Sequence, residues 1–339
     1  MEQQGSIIAQ NLVKVYNGKV RAVDDVSFEV RAGEVFGFLG PNGAGKTTTV
    51  SMLSAGLRPT GGRAFVDGLE VGLHPEEVKR HIGVIFQEST ADGDLTGREN
   101  LEIAAGCYGI PASEAKQRAV TLIDQMKLSD AADRYSKTYS GGMRRRLELA
   151  VGLVHRPRVI FLDEPTLGLD PQGRAGFWEF IQKLRQETGM TVFVTTHYLE
   201  EADGMCDRIS IIDHGKIVAS GTPNELKDSL GGDVVTLKTG SGTGEITAVL
   251  QTLPGVSSVQ HSDGAYRVKC SSGETFVPLA VQAATKAGAG ITGVTVKRPS
   301  LDEVFLDFTG REFREDEGPT ATDRAVMMNR VRGALGGRR

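Results

Sequence analysis

The sequence predicts an α/β chain: a largely parallel sheet organised around one phosphate-binding loop, an antiparallel β region before it, a helical insertion within it and a small α+β domain after it. Three observations predict this. Short, mostly apolar runs at 35–39, 82–86, 159–162 and 191–195 read as strands of a sheet covered on both faces, each followed by polar residues. The segment Gly40 to Thr48, GPNGAGKTT, follows the first run and leads into a helical pattern, the context that makes a glycine-rich loop informative. After Gly232 the chain changes character, to strand and helix patterns joined by glycine-rich connections.

With 339 residues the chain is long enough for two domains. The expected division is a main domain at 1–231 with a helical subdomain at about 97–155, a small domain at 232–312, and a charged, flexible tail at 313–339. A formal net charge of −4 argues against a mainly electrostatic nucleic-acid binder, so no nucleic-acid partner is expected. The cysteines Cys107, Cys206 and Cys270 are scattered and lack metal-ligand spacing, as ordinary thiols of a reducing compartment would be. No charged, long apolar leader opens the chain, and no run approaches the ~20 apolar residues that span a bilayer. The expectation is a soluble protein whose membrane role, if any, comes through a partner or a surface contact.

In chain order, residues 7–15 and 26–30 are strand-like, with Asn17-Gly18 and Asp24-Asp25 supplying turn chemistry beside and between them. Tyr16 is either a core or edge aromatic of this region or a ring that stacks on a nucleobase. The loop Gly40, Pro41, Asn42, Gly43, Ala44, Gly45, Lys46, Thr47 and Thr48 fits G-x-x-x-x-G-K-[ST]. Gly43 and Gly45 allow a tight turn in which successive N–H groups converge on one anion at a helix N-terminus. Lys46 can reach the terminal phosphates as a point charge, and the Thr47 hydroxyl can ligate the Mg²⁺ that accompanies a nucleoside triphosphate. Residues 63–67 return as a strand ending in the turn Asp67-Gly68. The buried strand at 82–86 leaves Gln87 just beyond its carboxyl edge, where a ligand of an α/β sheet would lie.

From 97 to about 154 the pattern turns helical, with Leu101, Ala104, Ala105 and Tyr108, then Val120, Ile123 and Met126, at helical spacing. The absence of a long heptad run makes the insertion compact. It ends at Tyr139-Ser140-Gly141-Gly142-Met143, where Ser140 is a plausible N-cap and two glycines expose backbone N–H groups, a second candidate anion site. Arg144, Arg145 and Arg146 are expected on a solvated helix face. The run at 159–162 delivers Asp163 and Glu164 at its end: Asp163 can hold Mg²⁺, and Glu164 can orient and deprotonate the water that attacks a γ-phosphate. Residues 168–171 form a turn, 177–184 an amphipathic helix, and the strand at 191–195 delivers Thr196 and His197, the latter expected to hydrogen-bond the γ-phosphate. A hairpin at 209–213 and 216–219 turns at His214-Gly215.

Taken together, these residues resemble the ATP-binding subunit of an ABC transporter over roughly 5–230. The phosphate loop, Gln87, Ser140-Gly141-Gly142, the strand ending in Asp163-Glu164, the Leu169-Asp170 turn and His197 occur in the family's order. The resemblance implies a P-loop NTPase ABC-ATPase fold in which two subunits sandwich two ATP molecules. Each ATP would touch the phosphate loop of one copy and Ser140-Gly141-Gly142 of the other. By the same resemblance Tyr16 matches the adenine-stacking aromatic, Gln87 the residue linking Mg²⁺ and water to the membrane partner, Glu164 the catalytic base and His197 the γ-phosphate switch. Asp170 joins the nucleotide-binding set, and the helical subdomain contacts a separate transmembrane permease subunit, which would hold the chain at the cytoplasmic face of the membrane. Tyr139 and Met143 depart from the commonest family pentapeptide, which begins with Leu and ends with Gln.

The small domain reads as strand, helix, strand, helix, strand at 234–237, 246–253, 266–270, 276–287 and 291–297. It has no acid pair, metal cluster or nucleophile and is expected to be regulatory, assembly-related or simply stabilising. The stretch from Pro299 to Glu312 resembles the C-terminal motif of the daunorubicin/doxorubicin-resistance type of bacterial drug exporter ATPase, and 139–148 resembles that group's contact peptide. This favours efflux of a drug-like or amphipathic compound; import, or a soluble ABC-type ATPase uncoupled from transport, are the alternatives. In the tail, Met327, Val331 and Leu335 could share one face of a short helix beside Arg324, Arg330 and Arg332, though a disordered tail is the stronger expectation.

Overall fold

Strands without a polar face have to be buried on both sides, and the runs at 35–39, 159–162 and 191–195 become the middle of a six-stranded sheet, with the run at 82–86 at one edge. The computed structural model describes residues 6–310 apart from 88–89, 241–245 and 263. The described residues form two compact units, divided between Val218 and Ala219. The tail expected at 313–339 lies outside the described residues.

In the first unit, β1 (Ile7–Tyr16) and β2 (Val20–Val30) pair antiparallel, and β4 (Gly61–Val66) and β5 (Leu69–Glu70) complete a four-stranded sheet in the order β2-β1-β4-β5, around β3 (Val35–Leu39) in sequence. The Asp24-Asp25 pair is not a turn between strands. It lies inside β2, where Asp25 takes a left-handed φ of 60° and the register with β1 shifts, so the local turn chemistry appears as an irregularity of the strand.

The second sheet has the order β10-β9-β3-β8-β7-β6, adding β6 (Ile82–Ile85), β7 (Val159–Asp163), β8 (Thr191–Thr196), β9 (Arg208–Asp213) and β10 (Lys216–Gly221). β6, β7, β8, β3 and β9 run parallel, and every residue of β3, β7 and β8 is buried. Phe36, Phe38 and Phe161 crowd around Phe193, with ring centroids 5.5 to 5.7 Å apart. Parallel alignment brings the carboxyl ends of these strands to one edge.

Helix α1 (Lys46–Leu53) follows β3, and α2 (Pro75–His81) precedes β6. The insertion comprises α3 (Gly97–Cys107), α4 (Ala112–Gln125) and α5 (Gly141–Leu153), which contact one another. α3 starts in a reciprocal capping box between Thr96 and Glu99, and Ser140 Oγ accepts from the Met143 N–H at the start of α5. Tyr139, one of the two departures from the family pentapeptide, is buried, and its hydroxyl donates to the Ala131 carbonyl at 2.7 Å. α6 (Pro171–Thr188) begins with the Asp170 cap and Pro171 and stops at left-handed Gly189, and α7 (Leu199–Met205) follows β8.

The second unit contains α8 (Pro223–Asp228), β11 (Asp233–Thr239), α9 (Thr247–Gln251), β12 (Val256–Ser262), β13 (Ala265–Cys270), α10 (Gly273–Lys286), β14 (Ile291–Lys297) and α11 (Leu301–Thr309). The order β12-β13-β11-β14, all antiparallel, with helices after the first and third strands, is a ferredoxin-like βαββαβ arrangement. Val235, Leu237, Tyr266 and Val268 meet Leu250, Phe276, Ala280 and Ala284 in its core. β12 has no counterpart in the strand and helix patterns read from sequence. Its residues, VSSVQHS, sit at a sheet edge with mostly exposed side chains, so burial never imposed an apolar run.

Candidate functional site

β3 ends at Leu39, and the chain turns back over the strand through Gly40–Gly45 before α1 begins. Two glycines are sterically required. A Cβ at Gly40 would lie 2.2 Å from the Ile212 carbonyl oxygen, and one at Gly45, whose φ is 109°, would lie 2.4 Å from that of Ala22. The loop is also tied down at its middle: the Gly215 N–H donates to the Ala44 carbonyl at 3.0 Å, and the Asp24 N–H donates to the Gly215 carbonyl at 2.8 Å.

Lys46 is 5 % exposed. Its ammonium donates to the carbonyls of Gly40 at 2.7 Å and Pro41 at 3.2 Å and lies 3.3 Å from Glu164 Oε1. The other oxygen of that carboxylate, Oε2, is 3.3 Å from His197 Nδ1, an ion-pair distance without aligned hydrogen-bond geometry. Burial pushes the Glu164 carboxyl up, but His197 and the Lys46 ammonium outweigh it and hold the group below its ordinary value. An ionised carboxylate so placed can accept a proton.

Asp163 is 1 % exposed. Its Oδ1 accepts from the Thr195 hydroxyl, while Oδ2 is buried without a hydrogen-bond partner. Burial raises its pKa, opposed by the hydroxyls of Thr195 and Thr47. An orphaned carboxylate oxygen beside the Thr47 hydroxyl is the hard-oxygen set that Mg²⁺ takes when it also binds substrate phosphates, so the residues present fit that ion. Thr195 does a second job: its carbonyl and hydroxyl both accept from the Glu164 N–H, at 3.0 and 3.1 Å.

The structure therefore brings together Lys46, Thr47, Asp163, Glu164 and His197, from the ends of β3, β7 and β8. Gln87 is exposed just beyond β6 at the same edge. Tyr16 is partly buried at the end of β1, with the Lys14 ammonium 5.4 Å from its ring centroid. The Asp170 carboxylate caps α6 through the Gly173 N–H at 2.9 Å. Ser140 and Gly141 are exposed at the start of α5, where a Cβ on Gly141 would meet nothing within 4 Å.

Two contributors escape sequence reasoning. Thr195 looks like one more residue of an apolar strand. Arg145, expected on a solvated face, is 7 % exposed and pairs with buried Glu148 at 2.9 Å. Its guanidinium also donates to the carbonyls of Phe86, Asp163, Glu164 and Pro165. Three consecutive arginines look like surface charge, and only the packing of α5 beside β6 reveals which one turns inward.

Residues 23–167 match the family described as "ABC transporter", and residues 221–309 match "ATP-binding protein DrrA1-3-like, C-terminal domain". The chain is 44 % identical over 307 residues to the daunorubicin/doxorubicin resistance ATP-binding protein DrrA of Streptomyces peucetius, covering 90 % of this chain and 92 % of that protein. It is 38 % identical to the linearmycin resistance ATP-binding protein LnrL of Bacillus subtilis, over 91 % of this chain and 99 % of the relative. Among solved structures, a dimeric ATP-binding cassette in a post-hydrolysis state, bound to ADP and Pi, superposes with a TM-score of 0.59 at 27 % identity, over 64 % of this chain and 98 % of the other. A fold built on a braced phosphate loop, a carboxylate poised between a lysine and a histidine, and similarity that runs through both units lead to one assignment: the chain belongs to the ATP-binding subunits of ABC transporters, is an ATPase, and resembles the daunorubicin/doxorubicin-resistance members of that family.

Proposed function

We propose that this subunit binds ATP with Mg²⁺, pairs with a second copy of itself and uses hydrolysis to drive efflux of a drug-like or amphipathic compound through a separate transmembrane permease. The observation that carries the hydrolytic reading is the Glu164 carboxylate, 3.3 Å from both Lys46 Nζ and His197 Nδ1 beside the phosphate loop. The resistance functions named for the relatives support efflux over import or an uncoupled soluble ATPase.

In this reading the N–H groups of Gly40–Thr48 and the Lys46 ammonium hold the phosphates, and Glu164 orients the attacking water and takes its proton. His197 hydrogen-bonds the γ-phosphate. Tyr16 stacks on adenine, and Asp170 completes the nucleotide surroundings. Thr47, Asp163 and Gln87 would hold Mg²⁺, which when bound neutralises charge on the phosphates. Ser140, Gly141 and Gly142 serve the ATP of the second copy; the exposure of Ser140 and Gly141 in a single chain and the dimeric cassette structures support this.

In this reading residues 1–231 serve as the nucleotide-binding domain, with the helical subdomain at 97–155 facing the permease, and 232–312 as an accessory domain; the compact units divide earlier, between Val218 and Ala219. Among the described residues no helix is long and apolar enough to cross a membrane. The permease would therefore keep the subunit at the cytoplasmic face of the cell membrane.

Transport is tested with inside-out vesicles that contain this chain and its permease. ATP-dependent accumulation of an anthracycline or another amphipathic compound is expected. Accumulation confined to right-side-out vesicles would favour import, and an active ATPase that copurifies with no membrane-spanning subunit would sink the transport reading.

Two glycine substitutions separate binding from pairing. Gly45→Ala drives a Cβ into the Ala22 carbonyl at a left-handed φ, a strain of about 1–3 kcal/mol. Nucleotide affinity of the single chain should fall at least about tenfold, 1.4 kcal/mol being a factor of ten. Gly141→Ala meets no atom within 4 Å and should leave the melting temperature and single-chain affinity unchanged while reducing ATP-dependent dimer on size-exclusion chromatography. A Gly141→Ala chain that pairs and hydrolyses normally would count against the shared site.

A further inference from the structure

Successive carbonyls of an extended strand point to opposite sides, yet those of Asp163, Glu164 and Pro165 all accept from one guanidinium. The chain achieves this by leaving the strand at Glu164, whose φ is 49°. A left-handed backbone is disfavoured for a residue with a Cβ, so a glutamate holds it only where its surroundings over-determine it. Thr195 fixes the N–H side of this residue, with acceptors at 3.0 and 3.1 Å. Arg145 fixes the carbonyl side.

The arginine is built for that task. A guanidinium carries five N–H donors in a rigid fork. Here Nε donates to Pro165 O at 2.7 Å, Nη1 to Phe86 O at 2.7 Å and Glu148 Oε2 at 2.9 Å, and Nη2 to the carbonyls of Asp163 and Glu164 at 3.2 Å each. Every donor has its own acceptor, which is how a buried cation is tolerated. The acceptors span the end of β6, one residue before Gln87, and the end of β7. The arginine itself rides on α5, the helix whose first turn presents Ser140, Gly141 and Gly142.

We propose that Arg145 is a positioning residue: it sets the backbone of Glu164, hence the aim of its carboxylate, and makes that aim depend on where α5 lies against β6 and β7. A shift of the helix that carries the contact peptide would thereby reach the base and the residue before Gln87 through one side chain. The inference rests on the reading of Glu164 as the base.

The test uses the purified full-length chain. Arg145→Lys keeps a positive charge beside Glu148 but cannot present the fork. It should lower kcat about tenfold or more, with KM and the Kd for a fluorescent ATP analogue changed less than about twofold, because the loss falls on the reacting geometry and not on nucleotide binding. In the Glu164→Gln background the same substitution should cause no further loss, since groups acting as a unit are not additive. If Arg145→Lys fails to fold, as judged by its melting transition, the paired change Arg145→Met with Glu148→Leu removes the fork without orphaning a buried carboxylate and should reproduce the kcat loss. Retained kcat in either folded variant, or a fall that multiplies with that of Glu164→Gln, overturns the inference. Wild-type turnover in Glu164→Gln alone would overturn the base assignment and this inference with it, a result distinct from retained turnover in the arginine variants.

Discussion

Glu164→Gln is expected to reduce ATP hydrolysis at least about a hundredfold, the lower range for removing a general base. Nucleotide binding should survive. Glutamine has nearly the shape of glutamate and can still accept from Lys46 through its amide oxygen, which in the native chain sits 3.3 Å away. It cannot take a proton from water. A chain that binds ATP without consuming it should accumulate as a closed dimer, read by size-exclusion chromatography with ATP and Mg²⁺ and by phosphate release. Wild-type turnover would remove Glu164 from the role of base, and loss of binding together with turnover would make its part structural.

Lys46→Ala should cost nucleotide affinity first and turnover as a consequence. Among the described residues the Lys46 ammonium is the one lysine or arginine cation within salt-bridge distance of the Glu164 carboxylate, and it also donates to the carbonyls of Gly40 and Pro41. Removing it withdraws a point charge from the phosphates and leaves the buried Gly40 carbonyl short of a donor, at about 1–3 kcal/mol for a buried group left unsatisfied, while the Pro41 carbonyl keeps the Ala44 N–H. A fluorescent ATP analogue should bind at least about tenfold more weakly, each factor of ten corresponding to 1.4 kcal/mol. A melting curve run in parallel separates lost contact from lost fold. Native affinity in a folded Lys46→Ala chain would show that the loop's N–H groups suffice.

Much of the site was legible because the sheet forces it. β7 and β8 run parallel with Asp163 opposite Thr195, so polar residues that follow their apolar runs must emerge at one edge, next to the loop after β3. A four-residue apolar run followed by two acids, and a strand followed by histidine, therefore carry positional information. Arg145 gives no such signal. In a helix, consecutive residues point about 100° apart, so a triplet of arginines always sends side chains in three directions, and the sequence does not say which direction faces the strand ends. The left-handed Glu164 is hidden for a similar reason: local preference opposes it, and only Thr195 and Arg145 from other elements impose it. In the second unit, β12, VSSVQHS at a sheet edge, carries two apolar residues in seven and was missed, while β14, also an exposed edge strand but carrying Ile291, Val294 and Val296, was legible along with β11 and β13.

The bracing of the phosphate loop has a thermodynamic consequence. Ala44 is held by Gly215, Gly215 by Asp24, and Gly45 packs against the Ala22 carbonyl, so the first sheet and the β9–β10 turn clamp the loop between them. Fixing a flexible residue costs roughly 1–2 kcal/mol of conformational entropy. Where protein contacts have already met that cost, the free energy released when phosphates enter is not consumed in ordering the loop. It remains available to drive a larger rearrangement elsewhere, and a rigid anvil of this kind suits a molecular motor better than a pliant one would.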